Sequence, residues 1–209
     1  MSTPTGLRER KKQQTRVRIL DAALGLFAER GFDNVSVVAV AREADVSEAT
    51  VFNYFPTKED LVYDGMQAFD EQLLDAVRSR PAGTSVLQAF RDHLLQPRGA
   101  LSSDDPAMVE KIATAARIIA GSTALQTREQ QVVDRWTRAL SELIATERSA
   151  HTGDIRPWVV ANALMGVHRA MTRAVHDLAR RGRSGPSIAR TVLTQGRGAF
   201  DALEQGLTD

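Results

Sequence analysis

Apolar residues recur along this chain at spacings of three and four, and nowhere in the every-second-residue alternation of a half-buried strand. The pattern predicts an all-α protein of about nine helices. The first runs from about Gln13 to Arg30, with Leu20, Ala23, Leu24 and Phe27 as its buried stripe and Gly31 as its C-cap glycine. Two short helices and a tight turn follow between Ser36 and Phe55, and Pro56 ends them. A long fourth helix starts near Lys58, carries Leu61, Val62, Met66, Phe69, Leu73, Leu74 and Val77, and stops at R-P-A-G before Pro81 is passed. Further helices are expected over Ser85–Gln96, Ala107–Ala120 and Thr123 to about Arg148. The last two span Pro157–Arg181 and Ser187–Leu207, separated by R-G-R-S-G-P. Pro97 to Pro106 reads as a loop rich in Gly, Ser and Asp.

The two short helices are the most informative part. Asp45 stands where the turn needs a residue tolerant of a left-handed backbone, and Ser47 is a good N-cap for the second helix. Thr57 with Asp60 makes a weak capping box for the next. Two helices joined this tightly form a helix-turn-helix, which lays its second helix in the DNA major groove. At about 100° per residue, Val51 and Phe55 point inward while Ala49 and Asn53 point out, with Thr50 and Phe52 on the flanks. A small residue, an amide able to bind adenine bidentately and a hydroxyl suit base edges and phosphates. A small surface helix without a ligand is the alternative that geometry leaves open.

The wider N-terminal block narrows that choice. T-R-V-R-I-L-D-A-A-L-G-L-F-A-E-R-G-F from Thr15 to Phe32, then Ser36, Val40-Ala41, Ala44, Val46-Ser47, Thr50, Tyr54-Phe55, Lys58 and Leu61 resemble the DNA-binding domain of the tetracycline-repressor (TetR) family of bacterial regulators. The resemblance covers roughly residues 10 to 65; beyond them it rests on helix count. It implies a homodimeric, all-helical transcriptional regulator, usually a repressor released from a palindromic double-stranded DNA operator by a small molecule. The DNA-contacting set it implies is Ser36, Ser47, Glu48, Ala49, Thr50, Phe52, Asn53, Tyr54 and Lys58. Two departures matter. The family usually has Gly at position 45, and commonly Tyr at 52, where Phe52 can offer only apolar contact. Val38, early in the first short helix, is either a thymine-methyl contact or an exposed valine.

Charge and composition refine this picture. Arg8, Arg10, Lys11, Lys12, Arg16 and Arg18 face only Glu9 in the first 18 residues, although the net charge is +1. Residues 1–12 are therefore expected as a basic, partly disordered arm able to clamp phosphates, with S-T-P-T-G its disordered start. The expected domains are that arm, a helix-turn-helix domain over 13–57, and a helical ligand-binding and dimerisation domain over 58–209. With 209 residues, no Cys excludes disulfides, thiolate zinc sites and cysteine nucleophiles. No apolar run reaches the ~20 residues that cross a bilayer, and the N-terminus has no signal-peptide core. The expectation is a cytoplasmic protein with no membrane partner. His93, His151, His168 and His176 are scattered, and no metal, phosphate-loop or nucleophile motif accompanies them. Neither an enzyme, a metal site nor a cofactor is expected.

Small residues line the last two helices: Ala163, Gly166, Val167, Ala170 and Ala174, then Val192, Gly196, Ala199, Phe200 and Leu203. Gly166, Ala170, Gly196 and Phe200 are expected at a homodimer interface built as a four-helix bundle, with packing inside one chain as the alternative. Met66, Phe69, Met108, Ile112, Trp136, Met165, His168 and Thr172 are candidates to line a pocket for an apolar or amphipathic effector of unidentified structure. The competing reading is a DNA-binding regulator controlled by a protein partner or by concentration, without a small-molecule inducer.

Overall fold

The computed structural model describes residues 4–147, 151 and 153–206, with the side chains of all but 4, 5 and 65–67. Among them are nine α-helices and no strand: α1 (Pro4–Arg30), α2 (Val37–Glu43), α3 (Glu48–Tyr54), α4 (Asp60–Arg78), α5 (Val86–Leu94), α6 (Pro106–Ala120), α7 (Thr123–Glu147), α8 (Arg156–Arg180) and α9 (Gly185–Gly206). Single 3-10 turns span Phe32–Asn34 and Gly99–Ser102.

One expectation is corrected at the N-terminus. The basic stretch is not an arm ahead of α1: from Pro4 onward it is α1's own first turns. Pro fits the first helical turn, and Leu, Arg, Lys, Glu and Gln all carry high helix propensity, so nothing in 7–14 stops the helix early. A second correction lies at the other end, where α9 begins at Gly185, inside the segment expected as a connector.

The chain divides into two compact units. The first comprises residues up to 65 together with 114–126; the second holds 66–113 and the residues after 126. In the first, α1 buries Ile19, Ala23, Leu26 and Phe27 rather than the expected stripe through Leu20 and Leu24, which stay half-buried. The difference is a small rotation about the helix axis. Phe32 packs on Phe27 with ring centroids 5.0 Å apart, and Val40, Ala41, Val51, Phe55 and Tyr63 complete this core. The buried Tyr63 hydroxyl donates to the Leu125 carbonyl at 2.7 Å, tying 114–126 into the unit. In the second unit, Leu73, Leu74 and Val77 of α4 pack with Phe90 of α5, Leu140 and Ile144 of α7, Leu164 and Met165 of α8, and Ile188, Val192 and Phe200 of α9.

The long amphipathic helices α8 and α9 pack on one another, and here the dimer expectation is partly overturned. Gly196 is buried within the protomer, where a Cβ would meet Met171 Sδ at 2.7 Å and Leu95 Cδ2 at 3.0 Å. Phe200 is fully buried and meets Phe90 edge-on at 6.3 Å. Both are spent on intrachain packing and are withdrawn as interface residues. Small residues on a helix permit close approach by any neighbour, and the spacing does not say which neighbour comes. Gly166 and Ala170 remain exposed.

Candidate nucleic-acid interface

Local hydrogen bonds shape the helix-turn-helix. The Ser36 hydroxyl accepts from the Ala39 amide at 3.2 Å and starts α2; the Ser47 hydroxyl accepts from the Thr50 amide at 3.1 Å and starts α3. Asp45 takes the left-handed conformation, φ 52°, that the turn requires. Pro56 follows α3, and Thr57 and Asp60 exchange backbone-to-side-chain bonds at 3.0 and 3.3 Å, forming the reciprocal cap of α4. Each of these signals was readable from residue type and spacing.

The faces of α3 fall where the angular argument puts them. Val51 and Phe55 are buried; Ser47, Glu48, Ala49, Phe52 and Asn53 are exposed; Thr50 and Tyr54 are half-buried. Phe52 leaves 43% of its surface in solvent and Val38, on α2, 57%. Ser36 is exposed too, but its hydroxyl is committed to capping, as is that of Ser47, which also pairs with the Thr50 hydroxyl at 2.7 Å. Asn53 carries the exposed amide of this surface.

Two basic residues have partners inside the unit that sequence spacing did not reveal. Lys58 donates from Nζ to the Phe32 carbonyl at 2.6 Å and lies 4.1 Å from the Phe32 ring centroid. Burial lowers its pKa, opposed by Asp33 and Glu59. The ammonium thus fastens the α3–α4 connection to the 3-10 turn, with its remaining protons left for other acceptors. Arg16 pairs with Asp64 through two guanidinium nitrogens and stacks over Phe55 at 4.8 Å, so it is a fastener rather than an open phosphate clamp. Arg8, Arg10, Lys11, Lys12 and Arg18 are exposed on α1. Pairings separated by 26 and 48 residues leave no local signature.

The expected effector residues distribute unevenly in the second unit. Met165 belongs to its core, and Phe69, Ile112 and Trp136, partly buried, pack against it. Met108 does not: it lies on the surface, 37% exposed, which withdraws it from any enclosed pocket. Its place on the outer face of α6 follows from the helix's phase, since Val109 and Ala113 turn inward instead. Thr172 is half-buried, and the Met66 side chain lies outside the described residues. His168 stacks on Phe69, centroids 5.8 Å apart and planes within 9°, and His93 also contacts Phe69, centroids 5.6 Å apart. Histidines far apart in sequence therefore converge on one ring. Asp70 was missed, although a signal existed: it occupies a position three and seven residues before Leu73 and Val77, on the apolar face of α4. Among the described residues, no group of three or more His, Asp or Glu is placed to hold a metal, and no helix is long and apolar enough to cross a membrane.

Known proteins match both units. The family described as bacterial regulatory proteins, tetR family, matches residues 19–63, and the MftR C-terminal domain family matches residues 84–195. The chain is 31% identical over 180 residues to the HTH-type transcriptional regulator TcmR of Streptomyces glaucescens, covering 82% of this chain and 78% of that one. It is 27% identical over 199 residues to MftR of Mycobacterium tuberculosis, named as a regulator of mycofactocin biosynthesis, covering 95% and 93% of the two chains. Among solved structures, a TetR-family regulator from Syntrophomonas wolfei superposes with a TM-score of 0.54 at 18% identity, over 90% of this chain and 96% of that one, which speaks to the fold. The capped recognition helix thus sits in the segment that carries the family's signature, and a relative named as a regulator matches most of the chain's length; the protein belongs to the tetR family of bacterial regulatory proteins and is a DNA-binding transcriptional regulator.

Proposed function

We propose that the chain acts as a cytoplasmic homodimeric repressor that holds a palindromic operator and lets it go when a small apolar or amphipathic molecule binds the second unit. The observation that carries this reading is α3, a helix capped by Ser47, anchored by Val51 and Phe55, and exposing Ala49, Phe52 and Asn53. One such helix offers too little interface for tight, specific binding, and a twofold mate supplies the second half-site about 34 Å away.

The exposed face of α8 fits the mate. Trp158, Val159, Asn162, Gly166, Arg169 and Ala170 are all exposed and fall within about 120° of one another around the helix. A Cβ at Gly166 would meet nothing within 4 Å in the protomer. Gly166→Leu should therefore leave the protomer folded and weaken self-association at least tenfold, measured by sedimentation velocity across a dilution series. An undiminished dimer would remove this face of α8 from the interface.

Base reading falls to Asn53. Asn53→Ala should cost about 1–3 kcal/mol of specific affinity and relax preference at one base pair per half-site. Binding selections on randomised operators check this; an unchanged preference and affinity would take Asn53 out of the base-reading set.

Ligand control follows from linkage. The effector has to favour a conformation with misplaced recognition helices, and operator DNA then weakens effector binding by the same factor. Footprinting on the protein's own promoter and adjoining intergenic DNA, followed by a screen of metabolites and drugs for operator release, tests the whole reading. If no compound alters operator affinity, control by a partner or by concentration replaces it.

A further inference from the structure

We propose that Asp70 and His168 form the polar end of an effector site in the second unit, one that takes a neutral apolar molecule carrying a hydroxyl, either an alcohol or a phenol. This inference deepens the ligand-controlled reading above and rests on it for its physiological meaning, while the site itself is tested by binding alone.

The geometry is that of an unfinished polar cluster. Asp70, on α4, is only 7% exposed, and its Oδ1 lies 3.5 Å from Nε2 of His168 on α8. Neither Asp70 Oδ1 nor His168 Nδ1 has a hydrogen-bond partner among the described residues, although both are buried. Buried polar groups are satisfied in the great majority of cases, and a carboxyl kept without a partner in an apolar core is costly to retain. A structural Asp–His pair would normally close its bond and satisfy the ring's second nitrogen. Here both atoms are left for a third group.

The surroundings define what that group belongs to. Phe69 lies parallel to His168, and His93 of α5 meets Phe69 at a tilt of 53°, so three helices each contribute a ring to the cluster. Met165 is buried one turn before His168 on α8, Leu164 belongs to the same core, and Trp136 packs against it. The ligand's body is therefore apolar.

Charge selects the polar end. Desolvation raises the Asp70 carboxyl to about 7 and lowers the His168 imidazole to about 4, against a weaker opposing pull from Arg135 on Asp70. The imidazole is uncharged at neutral pH, and the carboxyl is divided between its two forms. A cation is served only by the ionised form of Asp70, and a carboxylate ligand only by the protonated one. A hydroxyl donates to the ionised carboxyl and accepts from the protonated one, so it is served in both states.

Binding to the full-length protein can be followed by thermal shift and tryptophan fluorescence with five probes: 1-decanol, 4-hexylphenol, methyl decyl ether, decanoate and decyltrimethylammonium. The expected result is saturable binding of the alcohol, the phenol or both, at least tenfold tighter than the ether, the anion and the cation. Which of the two hydroxyl probes binds better separates an aliphatic from an aromatic ligand body. Asp70→Leu, a close shape match without polar atoms, should abolish that preference; His168→Phe, which keeps a ring against Phe69, gives the same readout if the first variant does not fold. Equal binding of decanol and the ether, unchanged binding in both variants, or no binding of either hydroxyl probe overturns the proposal. Operator release is read separately. A compound of another class that releases operator from wild type and both variants alike sinks this site and leaves ligand control standing. Asp70-dependent binding that never releases DNA supports the site and counts against ligand-controlled repression.

Discussion

Gly185→Ala should destabilise the protein by about 3 kcal/mol, the upper end of what overpacking usually costs. Gly185 is buried at the start of α9, and a Cβ there would sit 2.3 Å from the Ala100 carbonyl oxygen and 2.6 Å from that of Ser103. These are backbone atoms of the 3-10 turn Gly99–Ser102 and the residue after it, so no side chain can rotate away. Either the turn lifts off α9 or α9 frays at its first turn. For a chain of this size the loss corresponds to roughly 6–12 °C in Tm. Gly25→Ala is the matching control: Gly25 is exposed within α1 with open space around it, so the change should stabilise by about 0.5–1 kcal/mol through backbone entropy. Thermal and urea denaturation of the pair decide the matter. A Gly185→Ala protein as stable as wild type would mean that the close approach of the turn to α9 is not maintained in solution.

The second large effect is pH-dependent and sits at Asp70. Its carboxyl is raised from 3.8 to about 7, chiefly by desolvation, with Arg135 of α7 opposing and Glu71 of α4 adding to the rise, and His168 of α8 facing it. A raised acid contributes stability that is complete below pH 3.8 and is lost as pH climbs through about 7. His93 and His168, both lowered to about 4 by desolvation, act in the opposite sense: their contribution is complete above pH 6.5 and is lost as pH falls toward 4. The wild-type curve therefore mixes both signs. The difference between Asp70→Asn and wild type removes the carboxyl alone. That difference should grow in the variant's favour between pH 4 and 8 by up to roughly 4 kcal/mol, because the carboxyl moves from 3.8 to about 7 on folding. Urea denaturation at half-unit steps measures it, and a flat difference would mean that Asp70 ionises without penalty in the folded state.

The close approach at Gly185 lies outside what the chain's local pattern could reveal, and of Asp70 that pattern shows only its place on the apolar face of α4, while much of the DNA-facing surface lies inside it. Ser36, Ser47, Asp45, Pro56 and the Thr57–Asp60 pair act within three or four residues of themselves. Capping geometry, left-handed tolerance and helical phase are properties of residue type and spacing, so the helix-turn-helix and the outward faces of Ala49, Phe52 and Asn53 could be derived before any coordinates. The all-helical class was legible for the same reason, since the apolar period of three to four runs through every long segment. Boundaries were less so: α1 begins at Pro4, well ahead of the expected Gln13, because its first turns rest on residue propensity rather than on an apolar period.

Packing partners were decided by the tertiary structure. The small residues of α8 and α9 read alike in sequence, yet Gly196 closes on Met171 and Leu95 while Gly166 faces open space. Gly185 looked like a connector glycine and instead admits a passing carbonyl. Arg16 and Lys58 read as cations for phosphate, but Asp64 and the Phe32 carbonyl, distant along the chain, hold them within the first unit. Asp70, His93 and His168 carry no common motif and converge on Phe69 because three helices meet there. Periodicity specifies which side of a helix is apolar; which surface that side meets depends on how all the helices pack at once, and that information is spread over the whole chain.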